Sequence, residues 1–302
     1  MKKFFIELSG LLLLFFITLT SIYYFAGGYI DPFYKKFTSP EQSSLIVGSS
    51  RSNLGIIPKI INQNLNRTDI YNFAINGVHA PWGEEYYNAI QKKINPNSKN
   101  GIFIIGIDPM SLNTIKDKND FENISEHSML PKITRVNQNP NFEYMFHIIN
   151  NPLFYIFVSK LHNDGYLEFY APYDSIGEVN NRPLMKKIFL RSHTKRELSQ
   201  YRIDYLKKII ELFENHGEVY LLRLPIATYL TELEDNYFYC FDSIINSLSK
   251  QYNIPYFNFK NDSENYKYSI DGNHLVTESA AKFSKAIADS IINYKKFLKK
   301  ID

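Results

Sequence analysis

Gly101-Ile102-Phe103-Ile104-Ile105-Gly106-Ile107 reads as the strongest strand in the chain. Its apolar character is continuous rather than alternating, which suits a strand covered on both faces, as in a parallel sheet. Working back from it, residues 82–94 have helical spacing and stop at Asn95-Pro96. Residues 69–75 read as a strand, 56–65 as a helix, and 44–49 as a short apolar strand. Working forward, the alternation breaks from 110 to about 193, a stretch rich in Asn, Phe and Tyr with prolines at 131, 140, 152, 172 and 183. This segment is expected to be an insertion with short helices, one of them over 142–161. The pattern then resumes as a helix (195–216), a strand (218–224), a helix (232–252), a strand (255–259) and a last helix (277–298). Strands alternating with helices imply an α/β domain: a parallel sheet with helices on both faces.

The N-terminus carries a targeting signal. Met1-Lys2-Lys3 precedes an apolar run over 4–26, interrupted near its start by Glu7. About 20 apolar residues cross a bilayer at 1.5 Å of rise each, so the run is long enough to span. The lysines favour a cytoplasmic N-terminus, and Tyr23, Tyr24 and Phe25 suit the far interface. A cleaved signal peptide is the competing reading, but bulky Phe25 stands where a cleavage site wants a small residue. The expected organisation is a membrane anchor at 1–27, a tether at 28–42, and an extracytoplasmic domain over 43–302, periplasmic or at the cell surface.

Composition narrows the function classes. Lys and Arg number 34 against 31 Asp and Glu, with no long block of one sign, so no basic face for nucleic acid is visible. Cys240 is the only cysteine, which excludes a disulfide within the chain and a metal site built on thiolates. It falls within the helix expected from 235 to 252 and reads as a buried, inert residue.

Three loops at expected strand C-termini have unusual composition, and ligands bind at those ends of a doubly wound sheet. The first is Gly48-Ser49-Ser50-Arg51-Ser52-Asn53, where small residues allow a sharp turn and a serine leads into a helix. The second is Ala74-Ile75-Asn76-Gly77-Val78-His79, whose glycine permits close approach of backbone to a ligand. The third is Asp271-Gly272-Asn273-His274, with a carboxylate and an imidazole three residues apart. A serine, a histidine and an aspartate are the parts of a nucleophilic acyl-transfer site. Taken singly, the same loops also read as a Ser-rich helix cap, a glycine turn and a polar cap on the last helix.

The order of these motifs resembles the SGNH/GDSL hydrolase superfamily over about residues 43–293, with the central insertion unmatched. The resemblance implies a three-layer α/β/α, flavodoxin-like sheet. Carried over motif by motif, Ser50 matches the nucleophile as the third residue of the Gly48-Ser49-Ser50 block, His274 the general base and Asp271 its orienting partner. The backbone N–H groups of Ser50 and Gly77 match oxyanion donors. Two positions depart from the family pattern. Ser49 stands where an Asp is usual, and Gly106-Ile107-Asp108-Pro109 matches the third block, with Asp108 where an asparagine amide would donate to the oxyanion. A site of this kind uses no cofactor and no metal.

An N-terminal membrane helix ahead of such a domain is similar to accessory proteins of envelope-glycan acylation, which work beside a polytopic membrane-bound O-acyltransferase. The resemblance implies acyl transfer, of acetyl above all, through an ester on Ser50 to a hydroxyl of a cell-envelope or exported glycan. Arg51, Asn76, His79 and the aromatic insertion are expected acceptor or partner contacts, and Arg223 either another such contact or a surface ion pair. An esterase or deacetylase using the same residues, and an inactive scaffold that keeps the fold, are the alternatives.

Overall fold

The computed structural model describes residues 1–26, 33–76, 82–117, 134–147, 159–169 and 173–300. A long helix, α1 (Lys2–Ala26), precedes a short one, α2 (Tyr34–Thr38), and the sheet begins with β1 (Ser44–Gly48). Next come α3 (Ser50–Gly55), α4 (Pro58–Leu65), β2 (Ile70–Asn72), α5 (Glu84–Lys93) and β3 (Gly101–Gly106). The middle of the chain holds β4 (Asn113–Ile115), α6 (Phe142–His147), a hairpin of β5 (Ser159–Leu161) and β6 (Leu167–Phe169), and α7 (Ser175–His193). After β7 (Arg196–Leu198) follow α8 (Gln200–Glu214), β8 (Gly217–Arg223), α9 (Thr228–Tyr237), α10 (Phe241–Gln251), β9 (Tyr256–Asn258) and α11 (Thr277–Leu298).

Five strands form a parallel sheet in the order β2-β1-β3-β8-β9. The run that reads as the strongest strand is its centre: Ile104 lies opposite Ile46 on one side and Tyr220 on the other. Alternate residues of these strands feed two separate cores, which is why their sequences are apolar throughout. Leu45, Val47, Phe103, Ile105, Val219 and Leu221 pack with Ile90 of α5, Leu206 and Phe213 of α8, and Ile245 of α10. Ile46, Ile102, Ile104, Tyr220 and Leu222 pack against Ile61 of α4 and Ala280, Phe283, Ile287 and Ile291 of α11. The domain is therefore α/β with helices on both faces of its sheet. Strand order reverses between β1 and β3, and the crevice at such a reversal is where doubly wound sheets bind ligands.

Residues 2–22 of α1 are long and apolar enough to cross a membrane. The large apolar side chains from Phe4 to Ile17 are exposed on the protein, the condition under which a lipid environment is favourable.

Several boundaries differ from the sequence expectation, each for a local reason. The second half of the expected tether is folded: Phe33, Tyr34 and Phe37 are core residues, so α2 belongs to the domain. Residues 196–198 are not helical but pair antiparallel with β4, and the following helix starts at Gln200, capped by the Ser199 side chain, which accepts from the Arg202 N–H. The helix expected over 232–252 is two helices. The chain leaves helical geometry at Phe238 (φ −125°, ψ 47°), which buries that ring in the core while Tyr239 projects into solvent. Cys240 accordingly precedes α10 instead of lying inside a helix, and is half-buried. Of the helix expected over 142–161, α6 is its start and 159–161 is a strand. The remainder of it lies outside the described residues. The proline at 183, one of those in the expected insertion, sits inside the 19-residue α7.

Among the described residues two lysines are wholly buried. Lys36 of α2 donates to Asn53 Oδ1 (2.7 Å), Asn72 O (2.9 Å) and Ala74 O (2.7 Å), while Lys93 of α5 donates to Ser39 O (2.7 Å) and Ser39 Oγ (3.1 Å). Burial pulls Lys36 well below its usual range and Lys93 down to about 7, with Asp164 and Glu41 respectively opposing. An unfolded lysine holds its proton to about pH 10.4, so between pH 7 and that value the unfolded chain binds more protons and stability rises with pH. One such lysine contributes at most about 1.4 kcal/mol per pH unit. The urea midpoint is expected to increase from pH 7 to pH 9, and Lys93→Met to flatten that increase. A midpoint that falls over this range in the wild type contradicts the assignment. Above about pH 10 the trend reverses, because burial holds the Tyr71 and Tyr86 hydroxyls far above the usual tyrosine range.

Candidate active site

The first site loop depends on a glycine. Gly48 ends β1 at φ +146°, and a Cβ there would stand 2.5 Å from Ser52 Oγ and 2.6 Å from the Gly106 carbonyl oxygen. Only glycine accepts both the conformation and the closeness. The chain turns there from β1 into α3, and Ser50 is the first residue of that helix. Asn72 of β2 holds the helix from below, donating to the Ser52 and Ile56 carbonyls, and Lys36 holds Asn53. Ser50 is thus placed by backbone and buried side chains from three elements.

The last site loop is built around one carboxylate. Asp271 Oδ1 accepts from Ser269 Oγ (2.6 Å), Asn273 N (2.8 Å) and His274 N (3.1 Å). Its Oδ2 meets His274 Nδ1 at 2.7 Å. Gly272 turns through φ +67°, and its carbonyl accepts from the Ala227 N–H at the start of α9. Burial would raise the Asp271 carboxyl, but the hydrogen bond and charge of His274, with Ser269 and Asn273, outweigh it and hold the group far below the usual carboxylate range.

The two loops meet. His274 Nε2 lies 2.9 Å from Ser50 Oγ, across 224 residues of sequence. An ionised carboxylate accepts and never donates, so it fixes the proton of a neutral His274 on Nδ1 and leaves the Nε2 lone pair facing the hydroxyl. Ser50, Asp271 and His274 are half-buried, so the reacting edge is open to a ligand.

Asp108 follows β3 and is buried, with both oxygens engaged: Oδ2 accepts from Ser49 Oγ (2.6 Å) and Oδ1 from the Ser111 N–H (2.9 Å). Ser111 also accepts from Trp82 Nε1. A carboxylate held this way has no hydrogen to offer an oxyanion. It ties the loop after β3 to the residue next to Ser50, so the two departures from the family pattern, Ser49 and Asp108, are partners of one another. Asn76 is half-buried at the edge of the second loop, while Gly77 and His79 lie outside the described residues.

Arg51 points inward, not to the acceptor side expected of it. Its Nη2 meets Glu234 Oε1 at 2.6 Å, and its Nε donates to Asn273 Oδ1 at 3.0 Å. Burial opposes its charge, but Glu234 and Asp108 outweigh that and keep the guanidinium protonated. Arg223 is likewise no surface residue: buried at the end of β8, it pairs with Asp242 (2.7 Å), Asp235 (3.2 Å) and Glu234 (3.4 Å). The sequence assigned no role to Glu234, and none to Asn273 beyond its place in the third loop. A signal existed for the first, since Glu234 stands four residues after Leu230 on the buried face of α9. Among the described residues no cluster of three His, Cys, Asp or Glu could hold a metal ion.

No protein-family model matches this chain, and no curated protein matches its sequence.

Proposed function

We propose that this protein is a membrane-anchored acyltransferase of SGNH/GDSL type, with Ser50 as nucleophile, His274 as general base and Asp271 as its orienting carboxylate. The observation that carries the proposal is the unbroken chain Ser50 Oγ to His274 Nε2 (2.9 Å) and His274 Nδ1 to Asp271 Oδ2 (2.7 Å), at the open end of a parallel sheet. In the first step the Ser50 proton moves to Nε2 as Oγ bonds to the acyl carbon. The leaving oxygen then takes that proton as its bond to carbon breaks. In the second step an acceptor hydroxyl gives its proton to Nε2 and attacks the Ser50 ester; the bond from the acyl carbon to Oγ breaks, and Oγ takes the proton back from Nε2, restoring the enzyme. The Ser50 N–H, with that of Gly77, serves the oxyanion, and Asp108 plays no part in binding it.

The acceptor is a hydroxyl of a cell-envelope or exported glycan, and the acyl group reaches the site through a polytopic membrane-bound O-acyltransferase. The apolar helix over 2–22, with Lys2 and Lys3 at its start, supports a site held beside the outer face of the membrane. A serine-directed fluorophosphonate tests the nucleophile. It is expected to label the wild-type protein on Ser50 and to leave Ser50→Ala unlabelled. Equal labelling of both, or none of the wild type, refutes the proposal. Glycan acylation is expected to disappear in cells carrying Ser50→Ala, and unchanged acylation there removes the transferase reading in favour of ester hydrolysis.

A further inference from the structure

We propose that Asn273 is a substrate-contacting residue whose side-chain amide donates to the oxygen that enters or leaves opposite Ser50. The inference rests on the reading of Ser50 as nucleophile and names a residue to which the family resemblance assigns no role. Three observations carry it. The Arg51 Nε–H, a group that can only donate, points at the side-chain oxygen of Asn273 at 3.0 Å. That contact fixes the amide orientation, so the NH₂ end of Asn273 faces the site. There its Nδ2 stands 3.3 Å from His274 Nε2, the same atom that Ser50 Oγ meets at 2.9 Å. Arg51 is held in turn by buried Glu234, and the Asn273 backbone by Asp271 Oδ1 at 2.8 Å, so the amide is anchored at both ends.

Two donors therefore converge on one lone pair. With the His274 proton on Nδ1 against Asp271, Nε2 can accept from the Ser50 hydroxyl or from the Asn273 amide, and the hydroxyl is the closer. Once Ser50 gives up its proton, Nε2 becomes a donor and the amide has nothing on the imidazole to bond. Its hydrogens then meet the substrate oxygen that must itself lie within hydrogen-bond reach of Nε2 to exchange a proton with it. In acylation that oxygen belongs to the leaving group. It carries growing negative charge as its bond to the acyl carbon breaks, until it takes the proton from Nε2. In transfer it is the acceptor hydroxyl oxygen, which donates to Nε2 and accepts from Asn273. An alcohol can do both, which suits a sugar hydroxyl as acyl acceptor.

Leaving groups separate this role from a structural one. Full-length protein in detergent micelles, wild type and Asn273→Ala, would be acylated with p-nitrophenyl acetate, whose anion departs without help, and with ethyl acetate, whose alkoxide needs a donor. Formation of the Ser50 acetyl ester would be followed by intact mass. A hydrogen bond to a developing anion corresponds to about a 10- to 100-fold rate difference. Asn273→Ala is expected to lose about that much with ethyl acetate and under about 3-fold with p-nitrophenyl acetate. Asn273→Leu, which keeps the branching and size and lacks the donor, is expected to show the same selective loss. An unchanged ratio of the two rates, equal losses on both esters, or a wild type that ethyl acetate does not acylate overturns the inference. Fluorophosphonate labelling distinguishes the failures: a labelled Ser50 with an unmoved ratio removes only the role of Asn273. An unlabelled wild type removes the nucleophile as well.

Discussion

Asp271→Asn is expected to leave the fold intact and to slow reaction at Ser50 by about 10⁴, the loss found when a triad carboxylate becomes an amide. The surroundings of Asp271 determine which way the new amide would sit. Three donors, from Ser269, Asn273 and His274, converge on Oδ1, so the asparagine oxygen must take that place and keep the loop formed. Its NH₂ then faces His274 Nδ1, which the native Oδ2 meets at 2.7 Å. A neutral imidazole offered a donor at Nδ1 turns its lone pair there and carries its proton on Nε2. In that tautomer it cannot take a proton from Ser50, so the nucleophile is lost with no group displaced. The reverse orientation would set an NH₂ against the backbone N–H groups of Asn273 and His274, which can only donate, and is disfavoured by them. The check is the rate of fluorophosphonate labelling of full-length protein, with the thermal midpoint as control. A labelling rate equal to wild type at an equal midpoint removes Asp271 from the mechanism. A collapsed midpoint shows that the carboxylate acts through the loop instead.

What could be read from sequence, and what could not, follows the range of the interactions. β3 and α11 were legible because their signals are local: a run of apolar residues in one, and apolar residues three and four apart in the other. The loops carrying Ser50, Asp271 and His274 were legible for the same reason, as short motifs at strand ends. Their meeting across the sheet followed from the parallel topology. The inward turn of Arg51 had no local signal, because its partner Glu234 lies 183 residues away and Asn273 lies 222 away. Lys36 fell within the expected tether because the acceptors it bonds are supplied by α3, β2 and the loop after β2. The helix boundary at Phe238 is also a tertiary outcome, in which burial of one ring outweighs helical continuity.

The second large effect concerns the buried charges behind the site. Glu234 is wholly buried between two guanidinium groups, Arg51 at 2.6 Å and Arg223 at 3.4 Å. Arg223 has Asp242 and Asp235 as further partners, whereas Arg51 has no other carboxylate within ion-pair distance among the described residues. Glu234→Ala therefore strands Arg51 above all, and leaves two like charges facing one cavity. Breaking a buried pair from one side costs about 3–5 kcal/mol, which for a domain of this size lowers the thermal midpoint by roughly 10 °C. A loss under about 1 kcal/mol would show that water reaches this cluster and that the pair is effectively a surface one. Replacing both partners separates stability from chemistry. Arg51→Met with Glu234→Leu removes the charges together and fills the space with apolar groups, an exchange that often costs little or stabilises. The double variant is thus expected to recover most of the midpoint. It does not restore the donor that orients Asn273, so acylation by an alkyl ester should remain depressed while acylation by p-nitrophenyl acetate returns. Recovery of both rates with the midpoint would mean that the cluster supports only the fold, and that the Asn273 amide finds its orientation without Arg51.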